Sequence, residues 1–106
     1  MSNVEVRIPR TFQLFGRQIV VEVDGSVNRS DLLGTASSTN GKVLLYRMFN
    51  DGEVPRSSLE ESYWHEVIHH VLWAVAEDEL SKNEKFVQLL SRGVHQVLST
   101  MKGNIK

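Results

Sequence analysis

Hydrophobic and polar positions alternate in the first half of the chain and recur at three- and four-residue spacing in the second. Val4, Val6 and Ile8 alternate with Glu5 and Arg7, which predicts a half-buried strand interrupted at Pro9. "RQIVVEV" repeats the alternation, with Ile19, Val21 and Val23 on one face and Asp24-Gly25 as its stop. "DLLGTASS" and "KVLLYRMF" flank Asn40-Gly41, a dipeptide suited to positive φ, and predict a hairpin of third and fourth strands. "NDGEVPR" reads as a polar loop.

Two helices follow. Ser57-x-x-Glu60 and Ser58-x-x-Glu61 are overlapping capping-box candidates. Beyond them Trp64, Val67, Ile68, Val71, Leu72 and Val75 fall on one arc of a helix ending near Glu77. "EDELSKN" breaks the pattern. A second helix, from about Lys82 to Met101, is expected to bury Phe86, Val87, Leu90, Val94, Leu98 and Met101. With no repeat and no linker, residues 1–106 are expected to form one α+β domain: an antiparallel or mixed sheet of about four strands, then two packed helices.

Composition narrows the function. The formal net charge is −1 and no basic stripe stands out, so nucleic acid is not an expected partner. There is no cysteine, which excludes disulfides, thiol catalysis and zinc ribbons and leaves His, Asp and Glu as metal ligands. No apolar core of a signal peptide and no 18-residue apolar run are present, so a cytoplasmic protein without membrane contact is expected.

The candidate chemistry lies in the first helix. His65 and His69 are four residues apart, so they project about 40° apart on one face and one turn apart along the axis. Two imidazoles at that spacing can reach one metal ion. Glu66, about 100° round from His65, can lean over the same cleft as a base without binding the metal. This is the HExxH pattern, in which zinc with three protein ligands keeps a fourth position for water and lowers that water's pKa to about 7. Given the chain's His and Glu content, an accidental match has a chance of roughly one in a hundred. The placement of both histidines at the border of the apolar arc favours a metal site over a solvated helix. His70, about 100° from His69, is expected at the surface. Tyr63 and Trp73 flank the Glu66 side, where aromatic packing against the preceding loop outweighs a role as cleft walls.

A third ligand is needed. Glu77 lies about 12 Å beyond His69 on the same helix and is excluded unless the helix breaks early. Glu84 and His95 on the second helix remain. Glu84 is preferred on charge and spacing, although Ser81-Lys82-Asn83-Glu84 also reads as a capping box. In a strictly antiparallel helix pair Glu84 would lie nearer the interhelical turn than His69, so the helices must cross or the turn must fold back.

"IPRTFQLFGRQIVVEV", "HEVIHH" and "EDELSKNEKFVQLL…VHQ", together spanning almost the whole chain, resemble small phage and prophage proteins assigned as zinc metallopeptidases. More distantly the pattern is similar to the minimal gluzincin core of ImmA/IrrE-type peptidases. That resemblance implies His65, His69 and Glu84 as zinc ligands, Glu66 as general base and a peptide or protein as substrate. It differs from SprT-like proteases, which use a third His and often a zinc ribbon. An extended substrate is expected beside the strand Lys42–Phe49, and His95, Tyr46 and Tyr63 are candidates to stabilise an oxyanion. Two rival readings are a zinc-binding domain that engages a phage or host partner without cleaving it, and a small interaction domain with no metal.

Overall fold

A computed structural model describes residues 4–105. It is α+β: β1 (Thr11–Leu14), β2 (Arg17–Arg29), β3 (Gly34–Ser37), β4 (Lys42–Phe49) and β5 (Gly52–Glu53) precede α1 (Arg56–Ala74), α2 (Asp78–Lys82) and α3 (Glu84–Thr100). The sheet is mixed, in the order β1-β2-β4-β3. β2 and β4 run parallel, β1 and β3 are antiparallel to their neighbours, and β5 pairs with the far end of β4. Among the described residues no helix is long and apolar enough to cross a membrane.

The hydrophobic core lies between one face of this sheet and α1. Ile19 and Val21 from β2 and Val43 and Leu45 from β4 meet Leu59, Tyr63 and Val67 from α1. These are alternate strand positions and a three/four-spaced helical arc, as amphipathic elements require. Ile19, Val43 and Leu45 are fully buried, each stabilising the fold by about 1.5–3 kcal/mol relative to an exposed side chain. A smaller cluster of Ile68, Leu72 and Val87 joins α1 to α3.

Several expected elements are rearranged, each for a local reason. Val4–Ile8 is not a strand. The segment crosses the helices, with Val4 N–H donating to Ser99 O (2.9 Å) and Arg56 Nη2 donating to Val6 O (2.8 Å). Its alternation buries Val6 against helices rather than within a ladder. The missed first strand is Thr11–Leu14, joined to β2 through Phe15 and Gly16, both at positive φ. Asp24-Gly25 does not end β2. Asp24 Oδ1 accepts from Ser26 N and Oγ, absorbing the turn chemistry into an irregularity between Asp24 and Asn28. Asn50 and Asp51, at φ 49° and 64°, convert the expected polar loop into a tight β4–β5 turn. The Asn40-Gly41 hairpin matches expectation, with Gly41 at φ 61° and Ser37 opposite Lys42.

The helical half contains three helices rather than two. The capping boxes at Ser57 and Ser58 do not form: Pro55 precedes α1 and no side chain caps it. Glu60 is instead drawn to Arg56 and His95. α1 stops at Ala74, short of Glu77, because Ala76 takes the left-handed conformation (φ 60°). Ala76 N–H donates to Trp73 O and Glu77 N–H to Leu72 O, the paired bonds of a Schellman stop. Val75 is therefore exposed rather than part of the buried arc.

α3 is also rolled relative to expectation. Its inward row is Val87, Ser91, His95 and Ser99, four residues apart, while Phe86, Leu90 and Met101 are exposed. The small serines allow α3 to lie close to α1, and two polar attachments to α1, through Glu84 and His95, fix the roll.

Candidate metal centre

The early stop of α1 builds the site. After the Schellman turn, α2 folds the chain back and Asn83 begins α3, its side chain accepting from Phe86 N–H (3.0 Å). The expected Ser81–Glu84 capping box is thus replaced by an Asn83 cap. Ser81 is free to face α1, and Glu84, in the first turn of α3, returns to the level of the HExxH helix. The folded-back turn removes the geometric objection to Glu84.

Glu84 bridges the two histidines: Oε2 is 3.0 Å from His65 Nε2 and Oε1 is 3.2 Å from His69 Nε2. One ligand atom from each of the three residues lies within 4.8 Å of the others, so the trio could hold a metal ion. The opposite edges of both imidazoles are engaged. His65 Nδ1 is 2.9 Å from Gln88 Oε1 and His69 Nδ1 is 2.9 Å from Ser81 Oγ. With Nδ1–H donating to these oxygens, each Nε2 presents a lone pair toward the Glu84 carboxylate. In that tautomer the two lone pairs and the carboxylate converge as acceptors that a metal ion could join. Burial pushes the pKa of His69 down, and neighbouring His65 and His70 add to this, against an opposing pull from Glu84. Trp73 stacks on His69 with centroids 5.6 Å apart, which helps to hold that ring in place.

Glu66 is buried beside this cluster, and its carboxyl makes no hydrogen bond or ion pair among the described residues. Burial, with a smaller contribution from Glu84, pushes its pKa up to about 8. A carboxyl perturbed in this way, buried in a cleft lining beside two histidines, is a mark of a functional site. The site opens into a cleft of about 630 Å³, whose lining includes Gly34, Phe49, Glu66, Gln88 and Arg92.

The remaining candidates are placed elsewhere. His95 is buried and bonds Glu60 (Nε2 to Oε1, 2.8 Å), not the trio. Glu77 is exposed and outside the cluster even though α1 does break early. His70 is buried rather than at the surface, with Nε2–H donating to Lys42 O (2.9 Å). Its neighbour on the sheet supplies the acceptor that a surface reading did not anticipate. Tyr63 lies in the core, edge-on to Phe12 and Trp64, and burial pushes its phenol up to about 12. Tyr46 is buried under the Arg29 guanidinium, 4.9 Å from its ring centroid. None of His95, Tyr46 and Tyr63 lines the cleft, whereas Arg92, overlooked in the sequence, does. Its signal was available: Glu84, Gln88 and Arg92 recur every four residues along one side of α3.

The strand beside the cleft is also corrected. β4 lies between β2 and β3, so its middle has no free edge; the edge strand is β3. A Cβ on Gly34 would sit 3.0 Å from both Leu44 O and Ser62 Oγ, so glycine allows β3 to lie against α1 one turn before His65. Only the Phe49 end of β4 borders the cleft.

Comparison with known proteins returns no match: no family model, no curated protein and no solved structure matches this chain.

Proposed function

We propose that the chain is a zinc-dependent peptidase, with His65, His69 and Glu84 as ligands and Glu66 as general base. The observation that carries this reading is the convergence of two Nε2 atoms and one carboxylate, both rings held from behind, beside an unpaired buried carboxyl that faces a cleft. Two imidazoles and one carboxylate are a donor set that zinc accepts while retaining an open position. When bound, zinc would supply Lewis acidity toward a water molecule and the scissile carbonyl.

The chain's own residues supply the remaining parts. Glu66 takes the proton of the attacking water and returns it to the leaving amine. Its place beside the trio in the cleft lining, with no hydrogen bond to hold it, suits it to both transfers. Gln88 and Ser81 fix the rings of His65 and His69. Arg92, the cation in the cleft lining, is placed to attract a carbonyl or carboxylate of the substrate. An extended peptide would pair with the edge of β3, next to Gly34. The same site is expected to act on peptides in the cytoplasm.

The test is Glu66→Gln assayed against a broad peptide library with zinc content measured in parallel. The variant is expected to keep its zinc and its fold and to lose hydrolysis. Wild-type protein that binds zinc but cleaves nothing would leave a zinc-binding interaction domain, and wild-type protein that takes up no zinc would overturn the metal reading altogether.

A further inference from the structure

A second cavity, also of about 630 Å³, shares no lining residue with the metal cleft. It lies where the β1–β2 turn meets the end of α1 and α2, and its lining includes His70, Trp73, Phe15, Arg17, Asp78 and Lys82. The volume is that of a small-molecule site. The peptidase reading makes no use of it.

His70 supplies this cavity with a fixed polar atom. The residue is only 3% exposed, and its Nε2–H donates to Lys42 O at 2.9 Å. That bond sets the tautomer, so Nδ1 carries a lone pair. Nδ1 has no partner among the described residues. The one fully enclosed side-chain nitrogen or oxygen without a partner among them is Trp64 Nε1. His70 Nδ1 therefore reaches open space, and the cavity is the space that His70 lines. An acceptor held inside the fold in this way calls for a donor from water or from a ligand.

The rest of the lining narrows the ligand. Trp73 stands edge-on to His70 with ring centroids 5.3 Å apart. Phe15 sits in the β1–β2 turn at φ 50°, a left-handed conformation that is unfavourable for a bulky residue and free for glycine. It is 75% exposed, so packing within the chain does not account for an aromatic ring there. Arg17 and Asp78 carry opposite charges and line the same cavity, yet they form no ion pair with each other or with any other described residue. Lys82, by contrast, is already paired with Glu79 at 3.6 Å.

We infer that this cavity binds a free aromatic amino acid whose ring carries a donor, tyrosine or tryptophan. The ring lies beside Trp73 and Phe15, and its O–H or N–H donates to His70 Nδ1. The α-carboxylate meets Arg17 and the α-ammonium meets Asp78. Each group that the chain leaves unmatched then has a counterpart in one molecule. A simple anion would leave Asp78 unmatched, a purely apolar guest would leave Nδ1 unmatched as well, and either end of a peptide carries only one of the two charges. The inference is independent of the proposed peptidase activity.

The test is titration of the isotopically labelled full chain with L-tyrosine and with L-tryptophan, followed by NMR. At least one is expected to bind saturably, moving amide signals of residues 14–17 and 70–78 rather than those around His65 and Glu84. The His70 Nδ1 resonance should shift in the direction that a new hydrogen-bond donor causes. L-Phenylalanine, and the amide and N-acetyl derivatives of the amino acid that binds, each lack one matched group and should bind about 10-fold more weakly. The two derivatives also stand for the ends of a peptide. Phe15→Gly suits φ 50°, so it should keep the circular dichroism spectrum while weakening binding about 2–10-fold. Binding by neither amino acid, equal binding of L-phenylalanine or of either derivative, shifts confined to the metal cleft, or unweakened binding by Phe15→Gly would each overturn the inference.

Discussion

The α1–α3 interface contains two histidine–glutamate assemblies, and they differ in how far their polar atoms are satisfied. At one, Glu60 is almost fully buried, with one oxygen 2.8 Å from His95 Nε2 and the other 2.9 Å from Arg56 Nε. Arg56 continues to the Val6 carbonyl, so the assembly ties both helices to the amino-terminal segment. At the other, Glu84 is exposed and bridges His65 Nε2 and His69 Nε2, whose Nδ1 atoms meet Gln88 and Ser81. The first has enough donors and no access to the cleft. The second opens into the cleft and, with Nδ1–H on both rings, turns only acceptors toward its centre. A buried pair with matched donors and acceptors is a structural fastener; three converging ligand atoms at an open cleft are a group that could hold a metal ion. Residue type alone does not separate the two, and in sequence His95 stands as the alternative to the preferred Glu84 for that reason.

The largest effect expected from breaking this contrast is loss of the metal. His69→Ala should abolish zinc binding and zinc-dependent thermal stabilisation, whereas His95→Ala should bind zinc as wild type does. In wild type, zinc at about 100 times Kd should add about 2.7 kcal/mol, read as a rise in Tm. Next comes chemistry: Glu66→Gln should lower peptide hydrolysis by about 10²–10⁴-fold with zinc affinity nearly retained, as measured by kcat/KM and metal titration. Smaller again is the loss of a ring anchor. Ser81→Ala and Gln88→Leu should each weaken zinc binding by about 10–100-fold, measured by competition with a chromogenic chelator.

The fastener should respond in the opposite sense. Glu60→Gln should cost about 1–3 kcal/mol of stability in urea unfolding while leaving zinc affinity unchanged. Burial pushes the Glu60 carboxyl up, but hydrogen bonds from His95 and Arg56 outweigh it and hold the group below its ordinary value of 4.5. Its ionised form is thus favoured in the folded chain. The stabilisation is fully present above the unfolded value and is lost as the pH falls through the lower folded one. Between wild type and Glu60→Gln, the stability gap should therefore narrow on acidification below about pH 4.5, the smallest of these effects.

Much of the fold was legible because it rests on periodic signals. The alternation in "RQIVVEV" and "KVLLYRMF" and the arc from Trp64 to Leu72 predicted β2, β4 and α1, and the HExxH spacing located two histidines that the structure brings together with Glu84. What remained hidden depends on contacts between elements. Ala76 is an unusual residue for a left-handed helix stop, yet it ends α1 and creates the fold-back that delivers both Ser81 and Glu84. His70 could not be placed inside without knowing that the Lys42 carbonyl lies opposite it. The roll of α3 escaped notice because its apolar stripe reads as an inward face, whereas the polar attachments of Glu84 and His95 set the orientation.

On the proposed reading Glu84 with His65 and His69, and not His95 with Glu60, holds the metal. An anomalous-difference map at the zinc edge, from crystals grown with zinc, tests it directly. One peak is expected at about 2.0–2.2 Å from His65 Nε2, His69 Nε2 and a Glu84 oxygen, with none beside His95. A peak at His95 and Glu60, or no peak at the trio with zinc present, would contradict it.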